Sequence, residues 1–180
     1  MSRGSKSHGT RPSLDFVEEI ITYLEMTDPD QLNPARPAAG VVLEQVDRTS
    51  PLIVPTQARV GAPHGWRSST RSDEEWARWL AHPLRQYWLI KHGTDIAGIA
   101  DLEPHPAGEV EITTFGLLPE FVGKGLGGHA LTLTIRQAWE FEGASRVWLH
   151  TSTRDHPNAL PNYQRRGFRP FRTEVRQRGH

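Results

Sequence analysis

The 180-residue chain balances 21 Lys and Arg against 21 Asp and Glu, so its formal charge is zero. That excludes the basic excess of a nucleic-acid binder and the acidic excess of a disordered solvating segment. The absence of cysteine excludes disulfides, thiolate metal sites and a cysteine-acyl intermediate, and no apolar run approaches the ~20 residues that span a bilayer.

The length suits one domain. Residues 1–13 are polar and lack the apolar middle of a signal peptide. They are expected to form a disordered tail before a single domain over 14–180, in a cytoplasmic protein with no membrane partner.

In chain order, residues 17–26 (VEEIITYLEM) are rich in β-branched and aromatic types and favour a strand. Phe16, Ile20 and Leu24 also sit at helical spacing, so a helix competes. The stretch TDPDQLNPARPAAG breaks any regular element, and Val41–Val46 reads as a second strand. Residues 51–70 resist assignment, with prolines around a short apolar patch.

From Ser72 the signals sharpen. SDEEWARWLAH has an N-cap, an acidic first turn and Trp76, Trp79 and Leu80 on one face, which predicts a short amphipathic helix. QYWLIK, the turn His92-Gly93-Thr94 and DIAGIADLEP predict a hairpin. The turn Pro106-Ala107-Gly108 leads to a third strand over 109–118. A helix over about 125–141, a strand over 146–153, a short helix in HPNALPNYQRR and a strand over 167–176 complete an α/β pattern.

The stretch VGKGLGGH (Val122–His129) places four glycines where the long helix begins, although glycine is a poor helix former. A Walker loop is excluded, because no glycine stands five before Gly123 and Lys124 is followed by Gly125. Gly123, Gly125 and Gly128 satisfy G-x-G-x-x-G. A dinucleotide site, however, wants those glycines tight against a strand, with an acid ending the next one. Here Pro119-Glu120-Phe121 intervenes and the next strand runs into His150-Thr151. A plain glycine-rich turn is the remaining alternative.

The segment FGLLPEFVGKGLGGHAL, followed at the right interval by HPNALPNYQRRGF, resembles the GNAT superfamily of acyl-CoA-dependent N-acyltransferases. The resemblance runs from about Ser72 to the C-terminus. It implies a mixed, mostly antiparallel sheet of six to seven strands flanked by helices, splayed between the fourth and fifth strands. It further implies acetyl-CoA as co-substrate, with backbone groups near Leu117 and Leu118 binding pantetheine and polarising the thioester carbonyl. The loop residues Val122, Gly123, Lys124, Gly125, Leu126, Gly127 and Gly128 would hold the pyrophosphate with their N–H groups and the helix dipole. Two positions depart from the family pattern: Val122 replaces its Arg or Gln, and His156 its Asn, with Asn158 or Asn162 as substitutes.

Tyr163, five before Phe168, aligns with the tyrosine that protonates the leaving thiolate in such enzymes. For the base, Glu111 lies on the strand face of Glu109 and Thr113, opposite Ile112 and Thr114, and burial would raise its pKa. His150 is the other candidate, with an ordinary histidine pKa of about 6.5, and water a third. His64 and Trp66 fall where the family builds one wall of the acceptor pocket. The nine histidines show no i, i+4 pair of a helical zinc site, so no metal is expected. The implied activity is acetyl transfer to a small amine or amino-acid-like metabolite, in a protein whose family commonly forms homodimers. A protein lysine or N-terminal acetyltransferase and a non-catalytic acyl-CoA-binding module are the alternatives.

Overall fold

The computed structural model describes residues 16–179; the expected tail at 1–13 lies outside them. Within that range the strands are β1 (Phe16–Met26), β2 (Val41–Val46), β3 (Gln86–His92), β4 (Asp95–His105), β5 (Glu109–Leu117), β6 (Arg146–Ser152) and β7 (Arg169–Gly179). They form one sheet in the order β2-β3-β4-β5-β6-β1-β7. All neighbours are antiparallel except β5 and β6. The parallel ladder registers only Glu109 with Arg146, Val110 with Val147 and Glu111 with Trp148, although both strands run on.

Helices α1 (Ile53–Gly61), α2 (Asp73–Leu80), α3 (Gly127–Trp139) and α4 (Ala159–Arg165) flank the sheet. Against α3 and α4 the sheet buries Leu24, Leu102, Ile112, Leu149 and Phe168 on Leu131 and Ile135. Against α1 it buries Tyr87, Leu89, Ile99 and Leu118 on Ile53 and Val60. Each such aliphatic side chain removed from water stabilises the fold by roughly 1.5–3 kcal/mol.

The unassigned stretch 51–70 contains α1, because Ile53, Gln57 and Val60 share one buried helical face. Pro55 sits in the first turn, where a missing N–H costs no helical bond. Segment 17–26 is a strand, the helical spacing of Ile20 and Leu24 notwithstanding. Its residues pair across both edges, Leu24 with Leu149 and with Pro170. The third meander strand ends at Leu117, the long helix is confined to 127–139, and the last strand runs 169–179.

The strict alternation expected along β5 fails at Thr113. Asp101 pairs with Thr114 and Leu102 with Ile112, leaving Thr113 as an extra residue. Thr114 therefore turns to the Asp101 side, where it bonds that carboxyl, while Ile112 packs under α3.

Candidate active site

The glycine loop starts from a tight turn at Pro119–Phe121, where Phe121 N–H donates to Leu118 O (2.9 Å) and Val122 N–H to Pro119 O (3.3 Å). Gly123 and Gly125 then take left-handed backbone, with φ of +79° and +75°, conformations that L side chains avoid. Nothing lies within 4 Å of where a Cβ would stand on either. Leu126, before the first turn of α3, offers no side-chain cap, so the leading N–H groups of α3 are open to an acceptor. Gly128 serves packing: a Cβ there would meet Arg166 Nη1 at 2.5 Å.

Along this loop runs a groove of about 370 Å³, bounded by Gly123, Gly125, Gly127, Asn158, Ala159 and Tyr163, with Phe115 and Leu117 on its β5 side. Bare backbone, an uncapped helix start and an open αL turn suit a diphosphate. Several candidates change status here. Val122 borders the groove, but its N–H is spent within the turn. The Lys124 ammonium rests over the Phe121 ring at 5.3 Å rather than on the groove. Leu118 is buried, and its N–H donates to Ala97 O at 2.7 Å. The alternate residues Leu117 and Phe115 therefore direct their peptide groups to the other strand edge. Asn162 Nδ2 donates to Gly127 O (3.2 Å), tying α4 to the loop. His156 borders the groove, and its Nδ1 accepts from Asn158 N–H (3.0 Å). That is the bond an asparagine side chain makes in an Asx turn.

A second cavity, of about 230 Å³, opens beside the first. Its floor is Ile112–Phe115 of β5 and Leu149, His150 and Ser152 of β6, where these two strands are not registered with each other. Glu19 and Ile21 of β1 close one side, and Gln57, Trp66, Arg71 and Trp79 form the roof. His64, Trp66, Phe115, Asp155 and Tyr163 border both cavities.

Trp66 is held by its N–H bond to Gly61 O (3.1 Å) and by its indole Nε1, which donates to Asp155 Oδ1 at 2.7 Å. The other Asp155 oxygen accepts from Thr151 Oγ1 and Ser152 N–H. Sequence reading missed Asp155, whose only signal is an acid shortly after the end of β6. Tyr163 packs edge-on against Phe115 and Phe168. Burial, reinforced by the Asp155 charge, raises its phenol well above the ordinary value, so the hydroxyl stays protonated.

Of the two predicted bases, His150 lines the second cavity and Glu111 does not. Glu111 sits in a cluster where His105 Nε2 lies 3.0 Å from both Glu111 Oε1 and Glu103 Oε2. Burial raises the Glu111 pKa, opposed by His105 and by the nearby charge of His150. Glu103, His105 and Glu111 have the donor types of a metal site. Arg85 lies 2.6 Å from Glu103, and His105 bridges that carboxylate to Glu111. A further buried acid, Asp101, accepts from Gln57 Nε2 beneath the roof. Burial pushes its carboxyl up to about 7.

The sequence pattern of the Acetyltransferase (GNAT) family matches residues 56–168, more than half of the chain. The chain belongs to that family. This GNAT chain also resembles solved structures. A GCN5-related N-acetyltransferase from Kribbella flavida is 22% identical with a TM-score of 0.61, covering 89% of this chain and 57% of its own. One from Sphaerobacter thermophilus is 14% identical with a TM-score of 0.64, covering 91% and 53%. An acetyltransferase from Thermus thermophilus is 22% identical with a TM-score of 0.53, covering 77% and 97%. At these identities the likeness is one of fold, and the chain spans little more than half the length of the first two. No curated protein matches the sequence. Among the described residues no helix is long and apolar enough to cross a membrane.

Proposed function

We propose that the protein is a cytoplasmic N-acetyltransferase that moves an acetyl group from acetyl-CoA to the primary amine of a small metabolite, by direct attack in a ternary complex. The observation that carries this reading is the meeting of two cavities at Tyr163 and Phe115, one ending on an uncapped glycine-rich helix start and the other lined by aromatic and charged side chains.

In this reading the N–H groups of the glycine loop and the α3 start hold the pyrophosphate. The gap beyond Glu111 and Trp148 admits the pantetheine arm, and the Leu117 peptide, turned to that gap, holds it and polarises the thioester carbonyl. Asn158 borders the arm's path. His64 and Trp66 shape the junction through which the amine reaches the carbonyl. His150, on the cavity floor, takes a proton from the amine directly or through water, with Glu111 as the carboxylate behind it. Tyr163 keeps its hydroxyl proton at neutral pH and donates it toward the departing thiolate. With no cysteine in the chain, attack is on the thioester itself.

Release of CoA, read with a thiol reagent against a panel of amines and confirmed by product mass, tests the reading. The cysteine-free protein adds no background. Acetylated product from at least one small amine is expected. Tight acetyl-CoA binding with no product from any amine would reduce the protein to a binding module.

A further inference from the structure

We propose that the acceptor carries a carboxylate beside its amine, and that Arg71, stacked on the two tryptophans of α2, binds that carboxylate. This rests on the N-acetyltransferase reading above and names its substrate class.

The second cavity is bordered by four guanidinium groups, Arg67, Arg71, Arg154 and Arg176, and by two carboxylates, Glu19 and Asp155. The carboxylates are engaged within the protein. Asp155 accepts from Trp66, Thr151 and Ser152, and Glu19 from Ser152 Oγ at 2.6 Å. Two of the arginines are also matched: Arg67 pairs with Glu75 at 2.8 Å and Arg176 with Glu174 at 3.2 Å. Among the described residues Arg71 and Arg154 have no ion-pair partner. The cavity thus holds more positive charge than its own walls neutralise.

Arg71 is the better placed of the two. It is half-buried, whereas Arg154 is exposed at the rim. Its Cζ lies 4.1 Å from the Trp79 ring centroid and 4.8 Å from that of Trp76. Stacking of this kind occupies the faces of a guanidinium and leaves its in-plane N–H fork for a planar oxyanion. Burial also pulls the Arg71 pKa down, partly offset by the Asp101 charge. Asp101 itself, with a carboxyl titrating at about 7, does not neutralise Arg71 fully at neutral pH. An incoming carboxylate supplies the missing charge. Trp66, Trp79 and Phe115 give the apolar walls for the body of a small molecule. Arg71 and Tyr163 border the same 230 Å³, so a molecule holding its carboxylate at Arg71 presents its amine toward the acetyl-bearing side.

The test compares matched acceptors: L-phenylalanine with phenethylamine, L-lysine with cadaverine, and O-phosphoethanolamine with ethanolamine. The expected kcat/KM for at least one amino acid exceeds that of its decarboxylated partner by about 10- to 100-fold, the range of a charge-assisted hydrogen-bonded pair. Arg71→Gln should erase that ratio, mainly through the acceptor KM, and Arg71→Lys should restore part of it. Thermal melts and acetyl-CoA affinity establish that each variant is folded. Equal rates within the carboxylate pairs, or a ratio that survives Arg71→Gln, overturn the proposal. So does a preference confined to O-phosphoethanolamine, which would identify a phosphate site. In each of those results the acetyltransferase reading stands. Acetyl-CoA binding with no product from any acceptor removes both.

Discussion

Replacing Gly125 separates the loop's backbone shape from the anion binding proposed for it. Its φ is +75° and a Cβ there meets nothing within 4 Å, so alanine adds strain without a clash. An L-residue in that region costs roughly 1–2 kcal/mol, and in a domain of this size each kcal/mol lowers Tm by about 2–4 °C. Gly125→Ala should therefore melt roughly 2–8 °C lower. Gly125→Glu carries the same strain, but its carboxylate stands just before an uncapped helix start, which returns about 0.3–1 kcal/mol. The glutamate variant should thus be no less stable than the alanine variant. Binding should rank them the other way. A carboxylate about 4 Å from a phosphate charge repels it by ~4 kcal/mol at an effective dielectric near 20. Screening in an exposed loop reduces this to roughly 1.5–3 kcal/mol, or about 10- to 100-fold weaker acetyl-CoA binding than the alanine variant. Calorimetric melting and isothermal titration of the two variants measure both effects. Equal affinities for acetyl-CoA would refute the assignment of this loop to the pyrophosphate.

Tyr163→Phe keeps the ring packing against Phe115 and Phe168 and removes only the hydroxyl. It should lower kcat about 100-fold, the lower end of general acid–base contributions, with little change in the acetyl-CoA KM; unchanged turnover would take Tyr163 out of the mechanism. Asp101 predicts a pH dependence of stability. Its carboxyl titrates at about 7 in the fold and 3.8 as a free side chain, so between those values only the unfolded chain releases the proton. The native state therefore loses stability as pH rises from about 4 to 7 and is level above that. Urea titrations of wild type and Asp101→Asn should differ by an amount that shrinks wild-type stability relative to the variant across that window. Parallel curves would mean that Asp101 is ionised in the fold.

Features with local causes were legible in the sequence. The meander follows from turn chemistry at Gly93 and Gly108, and α2 from its Ser72 cap, whose hydroxyl accepts from Glu75 N–H. The glycine loop and the tyrosine of α4 were visible as a spaced pair of motifs. What escaped depends on contacts between distant segments. Helix α1 hides behind Pro55, because its apolar face is short and shows itself only once Gln57 finds Asp101. The extra residue at Thr113 is a property of the pairing between β4 and β5, and no residue type announces it. Leu118 looked equivalent to Leu117, yet the hydrogen bond to Ala97 takes its N–H away. The cations of the second cavity come from the α2 region, β7 and the loop after β6, so no stretch of sequence shows them together.

The place of β1 in the sheet has a consequence in time. Ile21 stands opposite Ser152 on one edge and Glu174 on the other, both far from it along the chain. During synthesis β1 therefore waits, with its polar edges unpaired, until β6 and β7 have emerged. Contacts so distant along the chain slow folding, and an unpaired strand is a site of misassociation meanwhile. The family-matched span runs only from Thr56 to Phe168, so a protein trimmed to it would hold the loop, α3 and α4 but lose β1, β2 and β7 and leave β6 with a bare outer edge. The wall that Glu19 and Ile21 give the second cavity would go with β1. Assembly of that cavity thus waits on the pairing of β1 with strands distant from it along the chain.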